Sequence, residues 1–139
     1  MLPFWAITQK STPQLFLPDI VSTPLQERDM AISLSGDSLV YTIGNGDQKV
    51  RGLFLLTKSE GHWGKPELLS FSGQYQDIEP FFDPRGQKLF FASNRPLVSE
   101  TKAGDYNIWY VEYKNGKWST PTALDSTING EKDDFYPSV

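Results

Sequence analysis

Carboxylates stand in close pairs at three places along the chain: Glu27 and Asp29, Asp77 and Glu79, Asp133 and Asp134. Arg28 sits inside the first pair. Carboxylates that converge can hold a cation or fix a polar ligand. The same groups can instead accept backbone N–H bonds and fix a turn. A second pair of opposed charges, Arg95 and Asp105, brackets a polar stretch and reads as a bidentate ion pair closing a loop. Its other reading is a ligand contact at a rim. His62 is the one histidine, and there is no cysteine. That excludes disulfides, thiolate zinc and cysteine nucleophiles, and any His-based triad or multi-His metal site would have to use His62. With Gly61 and Gly64 around it, His62 reads as a solvated turn residue. No Gly-x-Ser-x-Gly, Walker, His-Glu-x-x-His or dinucleotide-binding pattern is present. Asp37-Ser38 and Gly44-Asn45-Gly46-Asp47 loosely resemble calcium loops without the full ligand spacing. The sequence therefore names no catalytic residue, no cofactor and no metal ligand set.

The elements that position these residues follow from composition and repetition. A chain of 139 residues suits one domain, and an aromatic content of 14% favours β structure. The net charge of −4 offers no basic field for nucleic acid. No apolar run approaches the length of a membrane span. Residues 1–11 are set apart as an N-terminal arm or the remnant of a signal peptide.

Two segments align without a gap, 28–42 with 78–92, so that Gly36 meets Gly86 and Leu39-Val40-Tyr41 meets Leu89-Phe90-Phe91, an offset of 50 residues. Further on, Gly61-His62-Trp63-Gly64-Lys65-Pro66 meets Gly116-Lys117-Trp118-Ser119-Thr120-Pro121 at an offset of 55. The additional residues fall between Ala92 and Ile108, in a longer loop. A third copy starts at Asp134-Phe135-Tyr136-Pro137, which echoes Asp77-Ile78-Glu79-Pro80. Each unit holds four strand signals: a over 30–34 and 78–82, b over 38–43 and 88–93, c over 52–57 and 107–113, d over 66–69 and 121–124. Asn115-Gly116 suits a type I′ hairpin turn. Pro66 and Pro121 suit an edge strand, where a missing N–H breaks no ladder bond.

Strands b and c are almost continuously apolar, which implies cover on both faces. Radial stacking of small sheets supplies both covers, so the expected fold is an all-β propeller of four-stranded antiparallel blades. A flat antiparallel sheet or small barrel is the alternative. The expected blades run over about 27–72 and 77–127, with a third starting at 134, all within a partial propeller over 12–139. Strand a would line a central channel, so Glu27, Arg28, Asp29, Asp77, Glu79, Asp133 and Asp134 would ring one mouth of it. Their recurrence in every unit favours a role in the repeat over a ligand site. Trp63 and Trp118, equivalent in the repeat, read as packing residues.

Residues 12–16 resemble strand d and read as the outer strand of a blade lying outside the chain; 135–139 read as a lone strand a. The chain thus reads as part of a larger ring, with two apolar faces uncovered. The expectation is self-association through the exposed edges.

The stretch Pro80-Phe81-Phe82-Asp83-Pro84-Arg85-Gly86-Gln87-Lys88-Leu89-Phe90-Phe91-Ala92-Ser93-Asn94-Arg95 resembles the a–b unit of TolB-like, WD40-like propeller repeats of bacteria. Asp105-Tyr106-Asn107-Ile108-Trp109-Tyr110-Val111 is similar to the family's strand c. The first unit departs, with Leu34-Ser35 in place of Ser-Pro and Gly44-Asn45 in place of Asn-Arg. The resemblance spans about 13–139. It implies a non-catalytic binding or scaffold propeller, periplasmic or extracellular, that contacts protein or carbohydrate at the channel mouth. The alternative is the propeller portion of a glycan-processing or peptidase enzyme.

Overall fold

The computed structural model describes residues 12–97 and 103–139, and the arm expected over 1–11 lies outside them. The described chain has ten strands and no helix: β1 (Gln26–Ile32), β2 (Ser38–Gly44), β3 (Arg51–Ser59), β4 (His62–Trp63), β5 (Glu67–Leu68), β6 (Asp77–Phe82), β7 (Lys88–Ser93), β8 (Asn107–Lys114), β9 (Lys117–Trp118) and β10 (Thr122–Ala123). They form two antiparallel sheets of matching topology. In the first, β1 pairs β2 and β2 pairs β3, and the far edge of β3 is shared by β4 and β5. In the second, β6, β7 and β8 follow the same path, with β9 and β10 sharing the edge of β8.

Local chemistry explains the turns. Gly36 and Gly86 both adopt positive φ, at 72° and 67°. Each closes a tight turn by donating its N–H back three residues, to the Ser33 and Asp83 carbonyls. The Asp83 carboxylate also accepts the N–H groups of Gln87 and Lys88, both at 2.6 Å. The turn from β8 to β9 is of type I′, with Asn115 at 53° and Gly116 at 75°. Glu60 and Gly61, at 50° and 81°, repeat it between β3 and β4. His62 therefore opens β4 rather than sitting in the turn, and it is exposed.

β2 and β7 are buried along nearly their whole lengths. The core between the sheets is built from Val40, Leu53, Leu69, Leu89, Phe91, Trp109 and Val111, with Phe71 and Trp118 packed against it. Burying each such side chain stabilises by about 1.5–3 kcal/mol. Trp118 meets Phe71 edge-on, with ring centroids 6.1 Å apart. Trp63 packs on the opposite face of the first sheet, against a cluster of Val21, Leu39, Tyr41 and Leu56.

The outer faces are less bare than the sequence implies. Leu17 and Ile20 join that second cluster and cover the outside of the first sheet. On the outside of the second sheet, Ile78, Phe90, Ala92 and Ile108 form a third cluster. Phe135 approaches there, its ring tilted 41° to that of Tyr106 with centroids 5.0 Å apart. Residues 12–16 are not a strand and their side chains are exposed, Leu15 at 73%. Residues 135–139 join no ladder either. A strand needs a partner along its whole edge, and neither segment has one among the described residues.

Candidate functional site

Strand β1 begins at Gln26, four residues before the expected start, because its pairing with β2 runs through a register shift between Arg28 and Met30. Asp29 sits in this bulge with φ 50°. β6 carries the same irregularity between Ile78 and Phe81, with Glu79 at φ 57°. Tyr136, which aligns with Glu79 in the sequence, has φ 56°. Non-glycine residues avoid this region at a cost of about 1–2 kcal/mol. A bulge with a left-handed first residue bends the strand and re-aims its side chains.

The re-aimed side chains link β1, β6 and the segment at Tyr136. Glu79 Oε2 accepts the Tyr136 N–H at 2.6 Å, while Arg28 Nη2 lies 3.6 Å from Glu79 Oε1. Arg28 also hydrogen-bonds Asp29. Glu79 is only 6% exposed. Burial pushes its carboxyl pKa up, against the Tyr136 hydrogen bond that pulls it down. Beside this chain of contacts, Glu27, Arg28 and Asp29 line an open cavity of about 360 Å³, together with Phe16, Val21 and Tyr41. Burial pushes the Tyr41 phenol up to about 12, so it stays a neutral hydrogen-bonding group there.

The other carboxylates serve the scaffold. Asp77 is fully buried. Its Oδ1 accepts from Arg95 Nη2 at 2.6 Å and its Oδ2 from the Ser72 hydroxyl at 2.7 Å. Ser72 Oγ in turn accepts the Leu53 N–H of β3 at 3.0 Å, which ties the first sheet to the second. Arg95 Nε donates to Ser93 Oγ at 2.9 Å, and the guanidinium lies 5.1 Å from the Phe91 ring and 5.4 Å from the Trp109 ring. The ion partner of Arg95 is thus Asp77, and the expected pair with Asp105 is not made. Asp105 is exposed, whereas a buried guanidinium needs a buried carboxylate to offset its desolvation.

Asp133 accepts the Tyr106 N–H at 2.8 Å and Asp134 the Gly130 N–H at 2.7 Å. The seven residues therefore do not form one ring. Arg28, Asp29 and Glu79 come together, Glu27 and Asp29 face an open cavity, and the rest fix turns and sheet contacts.

Sequence reasoning missed Ser72 and Asn129. The Ile108 N–H donates to Asn129 Oδ1 at 2.7 Å, as the Leu53 N–H does to Ser72. Ser and Asn differ in type, and only their equivalent places after β5 and β10 signal the shared task.

Among the described residues no group of three His, Cys, Asp or Glu side chains could hold a metal ion. Nor is there among them a helix long and apolar enough to cross a membrane.

No family profile, curated protein or solved structure matches this chain. The functional reading therefore rests on the geometry alone.

Proposed function

We propose that the two sheets are consecutive blades of a β-propeller and that the protein is a non-catalytic binding or scaffold module. The observation that carries this is the left-handed residue recurring at Asp29, Glu79 and Tyr136, inside a bulge at the first two, joined through the Arg28–Glu79 contact and the Tyr136 N–H. Three left-handed residues in hydrogen-bonded or ionic succession are what radially stacked first strands would produce. The packing supports it: β6 lies against β1, β2 and β3, whereas the outer strands β5 and β10 contact only their own sheets. Sheets that converge at their first strands and part at their last are wedge-shaped, as blades around an axis must be.

The binding face in this reading is the cavity at Glu27, Arg28 and Asp29, with a protein segment or a carbohydrate as ligand. Phe16, Val21 and Tyr41 supply apolar surface and the charged trio supplies orientation, the usual division of labour in a recognition site. Both oxygens of Glu79 are already engaged, which favours binding over acid–base chemistry at this place.

Panning the protein on a glycan array and against a displayed peptide library tests the assignment. A glycan or peptide class should bind saturably and unchanged in composition, and the Arg28→Gln/Asp29→Asn double variant should lose it at least tenfold. Binding indifferent to that variant, or turnover of the ligand, would overturn the proposal.

A further inference from the structure

Where β1 turns into β2, residues of both sheets line another cleft, of about 220 Å³, which shares no residue with the cavity at Arg28. One wall is the turn over 33–38. Asp37 is the one charged side chain in the lining, and it is exposed. Its Oδ1 accepts the hydroxyls of Ser33 at 3.2 Å, Ser35 at 2.7 Å and Ser38 at 3.0 Å. Its Oδ2 accepts from no side chain among the described residues, and Asp37 makes no ion pair among them. Hydrogen bonds from Ser35, then Ser38 and Ser33, hold the carboxyl pKa below its ordinary value, so the charge persists at neutral pH. The turn does not need this cluster. Ser33 closes the backbone, its carbonyl taking the Gly36 N–H and its Oγ the Ser38 N–H. The matching turn at Gly86 closes on the Asp83 carbonyl, with Arg85, Gln87 and Lys88 in the places of Ser35, Asp37 and Ser38.

Aromatic rings supply much of the remaining wall, where Phe82, Tyr113 and Trp118 join Leu55. Leu55, Phe82 and Trp118 also pack against the core between the sheets, which fixes their places. Trp118 meets Phe71 and Tyr113, with ring centroids 6.1 and 4.9 Å away. Tyr113 is 51% exposed, so its side chain is open to a ligand. Aromatic faces attract cations through the ring quadrupole. One carboxylate beside three aromatic side chains, with no basic residue in the lining, favours a monocation with an apolar body. A single carboxylate is too few for a bare metal ion such as calcium, which takes about six to eight oxygen ligands. A sugar needs donors as well as acceptors, and the three serine hydroxyls are spent on Asp37. The volume lies below the range of about 300–1,000 Å³ typical of drug-sized ligands, so the occupant is small.

We propose that this cleft binds a small organic ammonium ion, its charged head beside Asp37 and its carbon body against Tyr113 and Trp118. The proposal stands whether or not the sheets are propeller blades and whether or not the cavity at Arg28 takes a ligand. The test is a ¹⁵N NMR titration with choline, with the neutral alcohol in which carbon replaces the choline nitrogen, and with methyl glucopyranoside. Choline should shift the Trp118 indole N–H and the backbone amides of Ser35 and Asp37 saturably, and the neutral alcohol should bind roughly fivefold more weakly or worse. Asp37→Asn changes an exposed side chain, so the amides of β2 and β7 should keep their positions while choline binding falls by a similar factor. Tyr113→Leu, which keeps apolar surface but removes the ring, should weaken choline and spare the alcohol. Equal binding of the alcohol, unchanged choline binding in Asp37→Asn, or tighter binding of the glucopyranoside would overturn the assignment.

Discussion

Arg95 concentrates more of the fold's polar chemistry than any other side chain described above. Its guanidinium joins the end of β7 to Asp77, to the Phe71 carbonyl and, through Ser72, to β3. Both charges are buried, at 8% and 0% side-chain exposure, so removing one leaves the other stranded. Arg95→Ala should therefore cost about 3–5 kcal/mol in equilibrium urea unfolding. A loss under 1 kcal/mol would mean that water replaces the guanidinium freely. Glu79 makes a pH prediction at the same scale. Its pKa is raised in the folded state, chiefly by burial, so the folded chain holds the proton more tightly than the unfolded one. Its contribution to stability is then fully present below the ordinary carboxylate pKa and is lost as pH rises through the raised value. Glu79→Gln should flatten the stability profile just above the ordinary carboxylate range. An unchanged slope there, by thermal melts across pH, would show that Glu79 does not set it.

The hairpins are the elements where backbone conformation is most exacting. Gly61 and Gly116 hold positive φ at the second central position of their type I′ turns. A Cβ added at either would meet nothing within 4 Å, so substitution tests conformation alone. Gly61→Ala and Gly116→Ala should each destabilise by about 1 kcal/mol, measured by chemical denaturation. Gly73 differs. With φ 98° and a Leu68 methyl 2.9 Å from an added Cβ, Gly73→Ala adds a clash to the strain and should cost more than either turn variant. Equal losses at all three would remove the packing part of the argument. These strands were mostly legible in advance: β7 occupies the residues that its apolar run marks out. β1 was read too short, because a bulge at a charged, non-glycine residue leaves no compositional sign.

For the molecule as a whole, the edges matter most. β1 is an edge strand of the first sheet, and Met30, Ile32 and Leu34 stand exposed at alternate positions on and just beyond it. Alternating apolar side chains on an unpaired edge invite strand addition. The 139-residue chain should self-associate, with an apparent mass by light scattering that rises with concentration, and Ile32→Lys should suppress the rise. A monomer at every concentration would show that the N-terminal segment and the bulge protect the edge. In hydrogen exchange, amides of β2 and β7 should be slowest and those of 12–16 fastest, since the former are buried ladders and the latter join no ladder.

The sequence by itself determined the all-β class, most of the strands and the turns. Each is a local matter: Leu39-Val40-Tyr41 and Leu89-Phe90-Phe91 must be covered on both faces, and Asn115-Gly116 must turn with positive φ. It also determined the classes of chemistry that are closed, since residue types absent from the chain can do nothing. Which charges meet was decided by tertiary structure alone. Arg95 and Asp105 are ten residues apart and plausible partners, yet burial selects Asp77, eighteen residues back, because only a carboxylate that is itself removed from water can offset a buried guanidinium. The carboxylate pairs look alike in the sequence and part company in space. Glu79 is turned by a bulge to meet Arg28 and the Tyr136 N–H, while Glu27 and Asp29 are left facing an open cavity.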